Sequence, residues 1–205
     1  MDEQYYEKLL KIKTIGEQKI FNESIHYHRY EPTSYAALEA LSSKYKFLSE
    51  DRIVDFGCGK GRLNFYINYF FDSFVTGIEM NNFFYWQAVE NKKSYLQLYK
   101  NKSDKIIFSN CFAERYDINS KDNKFYFFNP FSMQIFSKVI KNILVSAEVN
   151  KKAVDVILYY PSNDYTYFLD TDSNFLLINE IKVPHLYDND PRHKFLVYRA
   201  EPYYT

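Results

Sequence analysis

The densest chemistry in this sequence lies in Asp55-Phe56-Gly57-Cys58-Gly59-Lys60-Gly61, which holds three of the chain's five glycines. Glycine permits a tight turn and lets a ligand come close to the backbone. A turn of this kind delivers the ligand to the start of the next helix, where free amide donors point outward. The spacing is not the dinucleotide pattern Gly-x-Gly-x-x-Gly, because Arg62 stands where its last glycine would be. Nor is it a phosphate loop, since no Gly-Lys-Ser/Thr follows. A second acid, Glu79, closes the next apolar run, Phe74-Val75-Thr76-Gly77-Ile78. A carboxylate there can accept both hydroxyls of a ribose bound at the glycine turn. Alone, the turn is a weak signal that leaves a plain structural bend open, and an isolated Glu79 reads as a solvated strand end. Together they point to a nucleoside-type ligand.

These residues need a scaffold, and the hydrophobic pattern supplies one. Residues 5–20 read as a helix, and Glu31-Pro32-Thr33-Ser34 as a loop into a second helix ending near Lys46. Strands are predicted at 52–56, 74–79, 105–109, 124–128 and 154–159, with helices over 62–70, 81–99 and 132–149 between them. Two further strands, 176–181 and 195–199, are joined by a polar loop and read as an antiparallel pair. Alternating strands and helices imply an α/β, doubly wound, mainly parallel sheet covered on both faces. Ligands in such sheets bind at the carboxyl ends of the strands. The loops after Asp55, Glu79, Ser109, Phe128 and Tyr159 therefore converge on one edge.

Composition narrows the classes. The 205 residues carry 26 basic and 26 acidic side chains, so the net charge is zero and no global basic field favours nucleic acid. Two cysteines make neither a disulfide framework nor a zinc cage, and no metal site is predicted. The acidic, polar start is unlike a signal peptide, and no run approaches the roughly 18 apolar residues of a membrane span. A cytoplasmic setting is the expectation. Aromatic residues reach 20%, enough for a large core and in part a reflection of AT-rich coding. The lysines at 92, 93, 100, 102 and 105 read as a solvated face.

Residues 52–61 and Ile78-Glu79-Met80 resemble the first and second motifs of the class I S-adenosylmethionine-dependent methyltransferases. The resemblance spans residues 33–199 and implies a Rossmann-like seven-stranded sheet of order 3-2-1-4-5-7-6 with strand 7 antiparallel. It also implies the cofactor, S-adenosyl-L-methionine. Gly57, Cys58, Gly59 and Gly61 would cradle its methionine part and Asp55 its amino group, while Glu79 would hold the ribose and Met80 the adenine. Asn110-Cys111-Phe112 stands where the family often has an adenine-binding Asp; Asn110 can offer its carbonyl and Phe112 its ring. In the implied strand order Cys58 and Cys111 are about 9–10 Å apart, beyond disulfide reach. Residues 1–32 are read as a helical appendage or lid and 33–205 as the methyltransferase domain.

Phe128-Asn129-Pro130-Phe131 partly matches the Asn-Pro-Pro-aromatic motif of amine-methylating members, with Phe131 in place of the second proline. Asn129, Pro130 and Phe131 are therefore the catalytic candidates, and a nitrogen acceptor is favoured. The other reading of this stretch has Asn129 capping the next helix and Pro130 starting it. Tyr27, Tyr30 and Tyr160 are candidate acceptor contacts in an aromatic-walled pocket, to which Tyr159, Tyr165 and Tyr167 also map. His26, His28, His185 and His193 read as structural or solvated. The partner is a small-molecule or other methyl acceptor, with nucleic acid not favoured. Two alternatives stand: a non-catalytic S-adenosylmethionine-binding regulator, and an NAD-type dehydrogenase.

Overall fold

The structure, a computed structural model, describes residues 3–16 and 31–202. A seven-stranded sheet in the order β3-β2-β1-β4-β5-β7-β6 forms its centre. The strands are β1 (Arg52–Phe56), β2 (Phe74–Ile78), β3 (Ile106–Ser109), β4 (Lys124–Phe127), β5 (Val154–Tyr159), β6 (Phe175–Lys182) and β7 (Lys194–Ala200). The first five are mutually parallel; β7 runs antiparallel to both β5 and β6. All seven expected strands are present, with ends shifted by one residue at most.

Helices cover both faces. On one side lie α1 (Glu3–Leu10), α2 (Tyr35–Lys44), α3 (Arg62–Phe71) and α4 (Asn82–Leu98), contributing Leu10, Leu38, Phe65 and Tyr95 to a core shared with Ile53 and Ile157. On the other, α5 (Met133–Val149) and α6 (Asn163–Thr171) bury Phe136, Ile140 and Leu169 against Val54 and Val156. Alternate residues of β1 and β5 thus feed opposite cores, as expected for strands buried on both faces.

The first helix stops earlier than its hydrophobic pattern suggests. Lys11 adopts the left-handed conformation (φ +54°), and Ile12 N donates back to Glu7 O at 3.0 Å. That is a Schellman ending, here formed on a lysine. Tyr6, Leu10 and Ile12 enter the common core, so residues 3–16 are packed into the sheet domain and not set apart from it. Residues 17–30, the rest of the expected lid, lie outside the described residues.

At the amino ends of the central strands sits a buried ionic cluster. Lys124 Nζ lies 3.3 Å from Asp155 and 3.6 Å from Asp51, and donates to Tyr45 OH at 2.7 Å. Arg199 grips Asp155 with two bonds of 2.7 and 3.0 Å. Burial pushes the Asp155 carboxyl up, but Arg199, Tyr45 and Lys124 outweigh it and hold it below the usual range. Asp155→Ala leaves the buried Lys124 ammonium with Tyr45 and the more distant Asp51 and removes the Arg199 pair, and is expected to cost about 3 kcal/mol, read as a lower urea midpoint.

Candidate functional site

After β1 the chain turns through three left-handed glycines: Gly57, Gly59 and Gly61, with φ of +78°, +54° and +85°. Gly57 N and Cys58 N both donate to Ile78 O at 2.9 and 3.1 Å, and Gly61 N donates to Cys58 O at 2.9 Å. Space confirms what conformation asks. A Cβ on Gly57 would stand 2.7 Å from Pro130 Cβ, and one on Gly61 would stand 2.6 Å from the Phe108 ring. The turn is therefore pressed between the ends of β2, β3 and β4. Gly61 then caps α3, aiming its first turn at the carboxyl edge of the sheet.

Both expected acids lie at that edge and are buried. Glu79 accepts from Gly59 N at 2.9 Å through one oxygen and from Asn81 N at 2.8 Å through the other. Burial raises its pKa, partly offset by those bonds. Asp55, 4% exposed, is pushed up to about 8 by burial and then by Glu79's charge. No ion pair reaches either acid among the described residues. Between the ordinary carboxylate range and about 8, the folded chain holds a proton on Asp55 that the unfolded chain has lost. Stability is therefore expected to fall as pH rises through that window, and Asp55→Asn should flatten the dependence in thermal melts.

A cleft with about 860 Å³ of empty space, mouth included, opens between these groups. Asp55, Gly57, Cys58, Glu79, Met80, Cys111, Pro130 and Phe131 line it. Gly59 and Gly61 stand behind, shaping the turn. Asn110 is not in the wall: its amide donates to Glu79 O at 2.8 Å and Met80 O at 3.2 Å, joining the ends of β2 and β3. Phe112 is also outside it, 40% exposed with the Arg115 guanidinium 5.2 Å from its ring centre. Sequence reasoning missed Phe84, Tyr126 and Phe128, which supply most of the aromatic wall. Their signal was position: Tyr126 and Phe128 sit at the carboxyl end of a central strand, and Phe84 in the first turn of α4.

The stretch 128–131 divides. Pro130 and Phe131 line the cleft, whereas Asn129 does not, and takes a left-handed conformation (φ +40°). Asn129 is not the cap of the following helix either: α5 begins at Met133, with Ser132 in the capping position. Tyr165, on the unforeseen helix α6, donates to the Phe131 carbonyl, and the Phe131 ring meets Phe127 edge-on at 6.0 Å. Tyr160 lies outside the wall. Its hydroxyl donates to Asp190 at 2.6 Å, and its ring carries the Arg192 guanidinium at 4.5 Å. It fastens the last hairpin loop, as Tyr159 does through His193 Nδ1 at 2.8 Å. Tyr167 is 72% exposed, so it is no pocket residue. Tyr27, Tyr30, His26 and His28 lie outside the described residues.

No protein family matches the sequence, and no curated protein does. Solved structures do match. One is an RNA methyltransferase from Salinibacter ruber in complex with S-adenosyl-L-homocysteine: 15% identity, TM-score 0.57, covering 85% of this chain and 96% of that one. Another, from Thiobacillus denitrificans and in complex with the same molecule, is a SAM-dependent methyltransferase: 12% identity, TM-score 0.56, covering 83% and 91%. A third is a geranyl diphosphate C-methyltransferase from Streptomyces coelicolor: 9% identity, TM-score 0.56, covering 82% and 79%. The chain has the Rossmann-like methyltransferase fold.

Within this methyltransferase fold the two cysteines are free thiols that both line the cleft. Burial, then Asp55 and Glu79, push the Cys58 thiol well up, so it packs as a small apolar group and is no nucleophile. The fold's neighbours are named for acceptors as different as RNA and geranyl diphosphate. An RNA methyltransferase among them does not fit the expectation that nucleic acid is disfavoured, and net charge alone does not decide the acceptor. Among the described residues no helix is long and apolar enough to cross a membrane. Lys102 and Lys105 of the basic run both bind Asp72 at the end of α3, at 3.2 and 2.7 Å.

Proposed function

We propose that this protein is an S-adenosyl-L-methionine-dependent methyltransferase acting on a nitrogen acceptor. The observation that carries the reading is one cleft holding two buried, ion-pair-free acids on either side of a left-handed glycine turn. A ligand with a cationic amino group at one end and ribose hydroxyls further along satisfies both acids. Asp55 takes the amino group, the turn at Gly57 and Cys58 the methionine chain, Glu79 the hydroxyls, and Met80 with Phe84 the adenine. Asn110 contributes by fixing the backbone at Glu79 and Met80, not by touching the ring. When bound, the cofactor supplies a methyl group made electrophilic by its sulfonium.

The chain's own part is alignment and exclusion of water. Pro130 and Phe131 form the wall on the acceptor side, and the Pro130 carbonyl is the group to accept a hydrogen bond from an amine. A neutral amine needs no strong base, because its proton can leave to solvent after transfer. The test is calorimetry with S-adenosyl-L-methionine and with NAD, followed by assay of S-adenosyl-L-homocysteine release across amine, phenol and RNA acceptors. Binding of the first cofactor and turnover with an amine are expected. Binding with no turnover on any acceptor would favour a regulatory binder, turnover on RNA alone would replace the amine, and NAD binding alone would overturn the reading. Near pH 7 the bound amino group should displace Asp55's proton. Proton release, read from buffers of different ionisation heat, is therefore expected to accompany binding and to vanish in Asp55→Asn.

A further inference from the structure

The charged residues lining the cleft are three acids, Glu31, Asp55 and Glu79, and one cation, Arg62. The charge of Arg62 is already matched inside the protein. Its Nη1 meets Glu3 Oε2 at 2.6 Å, and its Nη2 lies 3.7 Å from Glu7 Oε1. Asp55 and Glu79 are assigned above to the cofactor. Glu31 is the acid left over; it is exposed, and no ion pair reaches it among the described residues.

Two observations fix where Glu31 stands. Two residues further on, Thr33 Oγ1 lies 2.7 Å from the Tyr126 hydroxyl, and both of these residues are buried. Two residues span about 7 Å at most, so Glu31 is close to the carboxyl end of β4. Its charge also acts on the hydroxyls of Tyr159 and Tyr160, at the end of β5. The Phe128 ring packs on the same two tyrosines, with ring centres 4.7 and 6.2 Å away. Glu31 and Phe128 thus share neighbours and line one cleft. The cation over the Tyr160 ring, Arg192, brings no unmatched charge, because Asp190 holds its guanidinium with bonds of 2.8 and 3.0 Å. The β4 end of the cleft therefore offers the rings of Tyr126, Phe128 and Phe131 and one uncommitted carboxylate. An aromatic face beside a carboxylate attracts cations and repels anions.

We infer that Glu31 and Phe128 form a subsite for a positively charged nitrogen, and that the acceptor is an amine that leaves as an ammonium ion. The inference rests on the methyltransferase reading above and narrows it. When an amine is methylated, its lone pair forms the new N–C bond as the C–S bond breaks, and the electrons of that bond stay on sulfur. The positive charge passes from sulfur to nitrogen. A carboxylate and a ring beside the nitrogen hold it more tightly as that charge arrives, which lowers the barrier. A phosphate or carboxylate brought to the same place meets Glu31 as a like charge.

The experiment is calorimetric titration of the full chain saturated with S-adenosyl-L-homocysteine. The probes are benzyltrimethylammonium, benzyl alcohol and benzoate, which put a positive, a neutral and a negative head on one ring. The cation is expected to bind at least about tenfold more tightly than the other two. Glu31→Gln is expected to weaken it about threefold and Phe128→Leu about fivefold, with the affinity for S-adenosyl-L-homocysteine unchanged. Benzoate or benzyl alcohol binding as tightly as the cation would overturn the inference, as would cation binding indifferent to Glu31→Gln. Weaker S-adenosyl-L-homocysteine binding by Glu31→Gln would assign Glu31 to the cofactor and overturn it equally. If wild type does not bind S-adenosyl-L-homocysteine, the methyltransferase reading fails and this inference with it. Normal binding of that molecule with no preference among the three probes sinks the inference alone. Thermal melts check that Phe128→Leu folds; if it does not, Glu31→Gln, at an exposed position, decides the question.

Discussion

Glu79→Ala is expected to weaken S-adenosyl-L-methionine binding by about a hundredfold or more, the loss of two charge-assisted hydrogen bonds. The carboxylate has a second duty that adds to the loss. Its two oxygens accept from Gly59 N and Asn81 N, so it holds the glycine turn against the start of α4 before any ligand arrives. Glu79→Gln separates the two duties. An amide presents one oxygen and one NH₂, so one of the two backbone donors would face another donor. Calorimetry should place this variant between wild type and Glu79→Ala. Equal affinity in all three would mean that the ribose lies elsewhere.

The second large effect falls on stability. Gly57→Ala meets two penalties at once: a left-handed backbone, φ +78°, and a Cβ 2.7 Å from Pro130 Cβ. The first costs about 1–2 kcal/mol, and the second adds a packing clash against a rigid ring, for roughly 3 kcal/mol together. In a chain of this length that lowers Tm by about 6–12 °C. Gly16→Ala is the control, with φ +100° and nothing within 4 Å of the added atom, so only the backbone strain remains. Because the displaced neighbour is Pro130, Gly57→Ala should also slow turnover more than it weakens cofactor binding. A Tm loss equal to that of Gly16→Ala would show that the turn relaxes away from Pro130.

The strands were legible because buried parallel strands are written as near-continuous apolar runs, and Val154 to Tyr159 is fully buried with Asp155 its one charged residue. The acids were legible because strand ends and glycines are sparse in this chain and each carries meaning. What escaped depended on side-chain geometry. The helix α6 is marked by Ser162, whose side chain accepts from Tyr165 N, and by Tyr165 and Leu169 at helical spacing; the aromatic tail masks it. Asn129 and Tyr160 stand in the expected loops but adopt left-handed backbones, and neither contributes to the cleft wall. Asn110 sits where the motif places it, yet spends its amide on backbone carbonyls. Loop position follows from the pattern of elements, whereas side-chain direction depends on local dihedrals that the pattern does not encode.

The ionic cluster of Lys124, Asp155 and Arg199 occupies one end of the sheet and the cleft the other. That separation has a consequence for protein engineering. The amino ends of the strands can be reinforced without touching the residues that line the cleft, which builds a reserve of stability. Acceptor-side substitutions at Phe128 or Phe131 can then draw on that reserve, so a search for new acceptors would best start from a chain first stabilised at the opposite end.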